Sequence, residues 1–127
     1  MKKIITPKNV HRPFGYSHAL QVGNTIYVSG QIPLDLEGKV VGKNDMYAQT
    51  EQAYENLKRV LEEAGATMSD IIMLNIYCRD LDEFDKKTRP LRKKYFGDYY
   101  PAITAVEVNR LYNPDYLIEV EAVAVIE

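Results

Sequence analysis

The segment that most constrains the fold of this chain is residues 117–126, with the sequence LIEVEAVAVI. Its side chains alternate with a period of two, which predicts a β-strand with two chemically different faces. One face is apolar and contains two alanines, small enough to let a helix pack close to the sheet. This face carries Ile118, Val120, Ala122, Ala124 and Ile126, and the other carries Leu117, Glu119, Glu121, Val123 and Val125.

Two acids, Glu119 and Glu121, lie side by side on the second face of this strand. An ionised carboxylate on an otherwise apolar face is costly unless it is paired or hydrogen-bonded. Either such an acid performs chemistry, or both acids face a sheet edge or a hydrated subunit interface and deter mispairing. The sequence favours the second interpretation for Glu121 and leaves Glu119 open.

Composition narrows the class of protein. The 127 residues, 46% hydrophobic and 27% charged, predict one globular domain, 1–127, with its own core. The net charge of −2 gives no general attraction to nucleic acid or anionic membranes. Cys78 is the single cysteine and alternates with Ile72, Leu74 and Ile76, which predicts a buried, inert thiol in a reducing compartment. Without a membrane-length apolar run or a signal-like segment, we expect a cytoplasmic protein.

Turn and capping signals divide the chain into a β-hairpin, two helices and three further strands. Gly23 and Asn24 predict the hairpin turn. Asn44 or Asp45 can cap the first helix, and Gly65 ends it. The predicted strands are 17–22, 25–29, 71–79, 103–111 and 117–126, the second helix is 82–96, and residues 1–13 form a basic, turn-rich lead.

The second helical pattern contains Pro90 and an unusual number of basic residues. Proline removes one amide and clashes with the preceding turn, so we expect a kink, or a break near Thr88 and Arg89. The basic residues could follow a phosphate backbone. However, no aromatic residue interleaves with them, which favours a solvated helix face over a nucleic-acid surface. They are Lys86, Lys87, Arg89, Arg92, Lys93 and Lys94.

The order of elements predicts an α+β domain with both helices on one face of a sheet. The opposite face of the sheet must then be covered by something other than these helices. Apolar Leu117, Val123 and Val125, interrupted by acids, are typical of a surface partly buried by another subunit. We therefore expect a homo-oligomer.

No familiar catalytic or metal-binding motif is present. The chain has no Gly-x-Ser-x-Gly elbow and no phosphate-binding loop. His11 and His18 lack the cysteine or acid spacing of a zinc site, so no metal is predicted. Gly30 directly follows a predicted strand, where it could let the backbone approach a ligand or simply form a bulge. Spacing alone favours the bulge.

Several short motifs, taken together, resemble the RidA (YjgF) family. Each motif alone is a weak signal, but their order and spacing over nearly the whole chain are highly specific. They are YSHAL at 16–20, VGNTIYVSGQIP at 22–33, AQTEQA at 48–53, NL at 56–57, EAGA at 63–66, PA at 101–102, AVEV at 105–108 and IEVEAVA at 118–124.

The resemblance implies a chorismate-mutase-like α+β domain with a mixed sheet, assembled as a homotrimer with clefts between neighbouring subunits. Members of the deaminase branch hydrolyse enamines and imines, such as 2-aminoacrylate, to 2-keto acids and ammonia without a cofactor. The implied ligand is therefore a small keto acid or imine. No membrane or nucleic-acid partner is implied by that activity.

The same resemblance assigns roles residue by residue. Glu119 matches the catalytic acid that orients the attacking water, and Tyr16 matches an aromatic residue that lines the cleft. The remaining matches are backbone groups beside the ligand or the water. They are Ser29, Gly30, Gln31, Ile32 and Ala105.

One departure from the family pattern bears directly on activity. Ile103 stands where the deaminase branch has the arginine that binds the substrate carboxylate, and its hydrocarbon side chain has no donor. Activity on 2-aminoacrylate is therefore in doubt. Thr88 stands where many members have an asparagine. Arg12 or Arg110 could replace the missing arginine, but the sequence does not place either in the cleft.

Three functions stay open at this point. The first is an enzyme that hydrolyses an imine or a related small substrate, including one less anionic than 2-aminoacrylate. The second is a non-catalytic member that binds a metabolite or acts as a regulatory or chaperone-like partner. The third is an endoribonuclease or translation inhibitor, which only the basic helix supports.

Overall fold

Eight regular elements and one short 3-10 turn run along the chain, which the computed structural model describes from residue 1 to residue 127. The 3-10 turn is Met68–Asp70. The strands are β1 (Lys2–Ile5), β2 (Ala19–Val22), β3 (Thr25–Gln31), β4 (Ile71–Cys78), β5 (Ala102–Glu107) and β6 (Ile118–Val125), and the helices are α1 (Met46–Glu63) and α2 (Leu81–Phe96).

The strands form one mixed sheet in the order β1-β2-β3-β6-β4-β5. Only the β4–β5 pair is parallel, so the predicted α+β class with a mixed sheet is confirmed. The Asn-Pro-Asp turn at 113–115 links two strands that do not pair with each other. Strand β5 ends at Glu107 and not at residue 111. The Val108 amide still donates to the Cys78 carbonyl at 2.8 Å, and after this bond the chain leaves β4.

The alternation of the C-terminal segment is confirmed by burial. Ile118, Val120, Ala122 and Ala124 are all buried in the main core. Helix α1 packs on β3 and β6, and α2 packs against α1 and β5, so the two helices lie side by side over the sheet. The apolar face of β6 is therefore the middle of the core, as its period predicts.

Both ends of α1 use the predicted signals. Asp45 caps the helix, because its Oδ1 accepts from the Ala48 amide at 3.0 Å. Asn44, the alternative cap, instead adopts a left-handed backbone with φ of 63°. Gly65 has φ of 81° beyond the last turn, and its amide donates to the Glu62 carbonyl, as expected for a glycine that ends a helix.

Helix α2 runs continuously through Pro90, so the predicted break near Thr88 and Arg89 is wrong. The proline removes a single hydrogen bond, and its surroundings are exposed, so water can satisfy the carbonyl that loses its partner. The rest of the helix is well anchored. Asp80 caps it by accepting from the Glu83 amide, and Phe84 and Leu91 are buried.

Two local predictions need correction. Part of the expected N-terminal lead is strand β1, which pairs antiparallel with β2 at the sheet edge. The sequence did not predict this strand because it is short and contains two lysines, although lysine is common on edge strands. In β4 a register shift between Ile71 and Met73 interrupts the alternation. Ile72 is consequently 49% exposed, whereas Ile71 is buried.

The sheet face opposite the helices, here called the open face, is covered by nothing within the chain. One apolar row crosses all six strands in register on this face. Its exposure is high for such residues, with Ile4 at 62% and Tyr27 at 53%. The row consists of Ile4, Leu20, Tyr27, Val123, Met73 and Ala102.

Candidate functional site

A cleft of about 670 Å³ lies where β3 ends and β6 begins. The segment before β2, the loop after β3 and the turn before β6 form its other walls. Its lining combines aromatic and aliphatic side chains with a few charged groups, as is usual for small-molecule sites. The lining residues are His11, Arg12, Phe14, Tyr16, Ser29, Gly30, Ile32, Leu34, Leu36, Glu37, Gly38, Tyr112, Tyr116 and Glu119.

Glu119, the second residue of β6, presents its half-buried side chain to this cleft. Burial raises the pKa of its carboxyl, and the negative charge of Glu121 raises the pKa further. No hydrogen bond to the carboxylate offsets these two effects. Glu119 is thus an acid without a protein partner, held ready to interact with a ligand or water.

Gly30 makes room for that acid. The register between β3 and β6 shifts between Val28 and Gln31, so the predicted bulge is confirmed. At the bulge the backbone of Gly30 comes so near Glu119 that a Cβ atom at position 30 would overlap Oε2. The two interpretations of this glycine are therefore one feature, a bulge that brings the backbone against the acid.

Tyr16 lies in the cleft on a chain of buried polar groups. Its hydroxyl is 3.3 Å from Nε2 of His11. The His11 carbonyl accepts at 2.7 Å from Nε2 of His18, which must therefore carry the proton on that nitrogen. Nδ1 of His18 then accepts from Gln31 Nε2 at 3.3 Å. These bonds tie the segment that carries Tyr16 to the core side of β3.

The pKa values around Tyr16 follow from burial. Burial, with a smaller effect from the charge of His18, lowers the pKa of His11 to about 4, so His11 is neutral at pH 7. Burial also raises the pKa of Tyr16 and of Tyr116, and the charge of Glu119 raises both further. At neutral pH both tyrosines are hydroxyl groups that can donate a hydrogen bond.

The structure brings together five of the residues expected at a site. Tyr16, Ser29, Gly30, Ile32 and Glu119 all line the cleft. Gln31 does not, because the bulge between Val28 and Gln31 turns its side chain to the buried side, where it contacts His18.

Three other expected site residues lie outside this cleft within the single chain. Ile103 and Ala105 are on β5 in register with Leu74 and Ile76, and both pack against the core on the helix side of the sheet. Thr88 is buried in α2, where its hydroxyl donates to the Phe84 carbonyl at 2.6 Å. These three residues therefore do not meet Glu119 inside one chain.

Sequence reasoning missed several residues of the cleft. Phe14, Tyr112 and Tyr116 add aromatic surface, and residues 34–38 form one wall. Tyr112 and Tyr116 lie on the two sides of the Asn-Pro-Asp turn, and this pairing of aromatic residues could have signalled them. Arg12 had been one of two alternatives for a cleft arginine, and it lines the cleft, whereas Arg110 does not.

Other chemistry of the chain lies away from the cleft. Cys78 is buried, as predicted, and burial raises the pKa of its thiol to about 11. No group of three or more histidine, cysteine, aspartate or glutamate side chains is arranged to hold a metal ion. Neither helix is long and apolar enough to cross a membrane.

The basic surface of α2 is largely neutralised by neighbouring acids. Four of its six cations form ion pairs, with N–O distances of 2.7 to 2.9 Å. Such a surface offers little free positive charge to a phosphate backbone. The pairs are Lys87–Glu83, Arg89–Asp85, Lys93–Asp98 and Lys94–Glu51.

Comparisons with known proteins agree with this architecture. The family model described as Endoribonuclease L-PSP matches residues 8–126. A RutC family protein of Pyrococcus abyssi is 44% identical over 124 residues, covering 97% of this chain and 96% of the relative. A 2-iminobutanoate/2-iminopropanoate deaminase of Dermatophagoides farinae is 35% identical over 127 residues, covering 99% and 98%.

The solved structures give the same result. A crystal structure of a Rid family protein of unknown function from Yersinia pestis superposes with a TM-score of 0.91 at 32% identity, covering 99% of this chain and 100% of the other. A match over nearly the full length, in both sequence and fold, leaves no part of the sheet or the helices unaccounted for. This chain belongs to the Endoribonuclease L-PSP family, the family of the YjgF, RidA and RutC proteins.

Proposed function

We propose that this protein hydrolyses small enamine or imine metabolites to keto acids and ammonia, with Glu119 as the catalytic acid. The observation that carries this proposal is a half-buried carboxyl with a raised pKa and no protein partner, lining a cleft of small-molecule size. A group of this kind suits general acid–base catalysis, because its pKa lies nearer the working pH. The imine deaminase name of one relative supports the reaction class.

The reaction needs only proton transfers and one water molecule. An enamine first becomes its imine tautomer. Ionised Glu119 then takes a proton from water as the water oxygen bonds to the imine carbon and the C=N electron pair moves to nitrogen. Glu119 returns a proton to the nitrogen of the resulting carbinolamine. The hydroxyl proton of the carbinolamine then moves through Glu119 to the same nitrogen as the C–N bond breaks and the C=O bond forms, and ammonia is released.

The other residues of the proposed site bind and position the ligand. Tyr16 offers an aromatic face and a hydroxyl donor, and Ser29, Gly30 and Ile32 bound the cleft beside Glu119. Within this proposal, Ile103, Ala105 and Thr88 belong to the site only if a neighbouring subunit supplies them.

A homotrimer with clefts between subunits would supply them. The apolar row on the open face supports self-association, because exposed apolar surface of this extent typically marks an interface. Sedimentation equilibrium should give three times 14.6 kDa, about 44 kDa. A monomer at micromolar concentration would remove Ile103, Ala105 and Thr88 from the proposed site. We further propose that the protein acts in the cytoplasm, where pyridoxal-phosphate enzymes release such imines.

The activity itself is tested with imine generated in place. Threonine dehydratase and serine dehydratase produce 2-iminobutanoate and 2-aminoacrylate, and added protein should accelerate keto-acid formation, followed by ultraviolet absorbance. Because Ile103 provides no donor for a carboxylate, we expect slower turnover of 2-aminoacrylate than by a deaminase with arginine at that position. No acceleration with either dehydratase, over a range of protein concentrations, would refute the proposed reaction.

The isoleucine also favours a second candidate, a non-catalytic protein that binds a small keto acid. Such a protein would bind 2-oxobutanoate, measured by calorimetry, without accelerating either reaction. A nucleic-acid function has less support, because the cations of α2 are mostly paired. RNA binding should accordingly be weak and lost at moderate salt.

A further inference from the structure

The charges that line the cleft are unevenly distributed. Glu119 and Glu37 are the acids, and Arg12 is the single cation, since burial lowers the pKa of His11 to about 4 and leaves it neutral. A carboxylate that entered this cleft would therefore find one cationic partner. That partner comes from the segment before β2 and not from β5.

The backbone around Arg12 is fixed on both sides. The preceding residue, His11, is buried, and its carbonyl accepts from His18 at 2.7 Å. The following residue, Pro13, has a fixed φ and restricts Arg12 to extended conformations. Arg12 therefore starts from a well-defined position at the rim of the cleft.

The guanidinium of Arg12 is held without being neutralised. It lies over the ring of Phe14, 5.4 Å from the centroid, and Phe14 is itself part of the lining. Arg12 enters none of the six ion pairs of the chain. Stacking on an aromatic face leaves the N–H edge of the guanidinium free for a two-pronged bond to a carboxylate.

Arg110, the other alternative, is arranged differently. Its Nε donates to the Leu111 carbonyl at 3.1 Å, and one terminal nitrogen donates to the Tyr112 carbonyl at 3.2 Å. The guanidinium thus stabilises its own loop, and Arg110 does not line the cleft. It is a natural control for Arg12, being an exposed arginine whose donors are already engaged.

We propose that Arg12 binds the carboxylate of a small 2-imino or 2-keto acid, placing the imine carbon between Arg12 and Glu119. Arg12 then determines specificity for anionic substrates in the absence of an arginine at position 103. This inference rests on the proposed function for the identity of the reaction. The inference can be tested separately from the proposed function, because it requires Arg12 for keto-acid binding whether or not hydrolysis occurs.

The experiment compares Arg12→Gln with Arg110→Gln in the full chain. Calorimetry measures 2-oxobutanoate binding, and the dehydratase assay measures kcat/KM for 2-iminobutanoate. A second substrate, an imine with a neutral amide in place of the carboxylate, reports hydrolysis that does not depend on charge. Arg12→Gln should weaken keto-acid binding and lower kcat/KM for the anionic imine by about 10- to 100-fold, the usual effect of losing hydrogen bonds to a charged group. The neutral imine and Arg110→Gln should be unaffected.

A further variant tests whether the two positions are interchangeable. Adding Ile103→Arg to Arg12→Gln should restore part of the lost activity on the anionic imine. Unchanged keto-acid binding in Arg12→Gln, or an equal loss on the neutral imine, would overturn the inference while leaving imine hydrolysis intact. Absence of all hydrolysis, with keto-acid binding still lost in Arg12→Gln, would instead refute the proposed function alone.

Discussion

Glu119 and Glu121 occupy equivalent positions on one face of β6 but differ in every contact. Glu121 is matched by donors on β4, since its Oε1 accepts from the Tyr77 hydroxyl at 2.7 Å and from Asn75 Nδ2 at 3.2 Å. Glu119 has no such donors and lies against Gly30 in the cleft. The strand period makes the two acids look alike in sequence, and only their contacts in the fold distinguish them.

The difference shows how a sheet can hold two carboxylates side by side. Glu121 accepts hydrogen bonds from two neighbouring side chains, whereas the pKa of Glu119 is raised because burial and its like-charged neighbour both disfavour ionisation. One acid therefore serves the structure and the other is available for chemistry. The sheet-edge interpretation of Glu121 is wrong, because β6 lies between β3 and β4, and its place at a subunit interface stays a prediction. The contrast in contacts supports a functional role for Glu119.

The sharpest test of this comparison is to neutralise each acid in turn. Glu119→Gln should lower kcat/KM for 2-iminobutanoate by about 10²- to 10⁴-fold, because the water loses its general base. Glu121→Gln should retain most activity. Equal losses in the two variants, both folded by circular dichroism, would erase the functional distinction between the acids.

A smaller but still large effect is expected at Gly30. Gly30→Ala places a Cβ where Oε2 of Glu119 lies, so the carboxylate must move. A displacement of this size should lower kcat/KM by about 100-fold. Shortening the acid should relieve the overlap, and the double variant Gly30→Ala with Glu119→Asp should then be more active than Gly30→Ala alone. If Gly30→Ala is as active as the natural chain, the close approach has no role in positioning Glu119.

A smaller effect is expected on the pH dependence of activity. If ionised Glu119 is the base, kcat/KM falls as pH decreases through its pKa, which lies above the usual 4.5. Removing the like charge by Glu121→Gln lowers the pKa of Glu119, so the acidic limb of the profile should shift to lower pH. Burial, the larger cause, is unchanged, and the shift should be partial. A limb that stays in place or moves to higher pH would contradict this coupling.

The smallest effect is expected from Tyr77→Phe, which removes the stronger donor to Glu121. The free energy of unfolding should fall by about 1 kcal/mol, measured by urea denaturation, since a partly exposed hydrogen bond is lost. Activity should change little. A large loss of activity with unchanged stability would reassign Tyr77 from structure to catalysis.

Local signals predicted much of the fold correctly. Asp45 and Gly65 mark the ends of α1 because capping depends on adjacent residues alone. The buried face of β6 follows from its period, since a strand in the middle of a sheet has one face in the core. The exposure of Ile72 was not predictable in this way, because a register shift in β4 depends on pairing with a distant strand.

The site was predictable only in part, for a similar reason. The strand pattern singled out Glu119 and Gly30, the family motifs added Tyr16, and the fold brings all three to one cleft. The cleft position of Arg12 was not predictable, because it depends on the contact between His11 and His18 and on stacking with Phe14. Neither contact leaves a periodic or motif signal. Pro90 is the converse case. It is a strong local signal for a break, but helix α2 continues through it.

The central position of β6 has a consequence for how the molecule is made. Within the sheet, the hairpin side, β1 to β3, and the β4–β5 pair are joined by strand pairing only through β6. During synthesis β6 is the last of the six strands to be made. Until then the two parts of the sheet, β1 to β3 and β4–β5, lack the strand that pairs with both, and the core is incomplete. The strand that carries Glu119 is thus also the one that unites the sheet. The sheet is therefore completed, and Glu119 is placed in the cleft, in the same late step. A chain that ended before residue 118 would lack both the completed sheet and the acid.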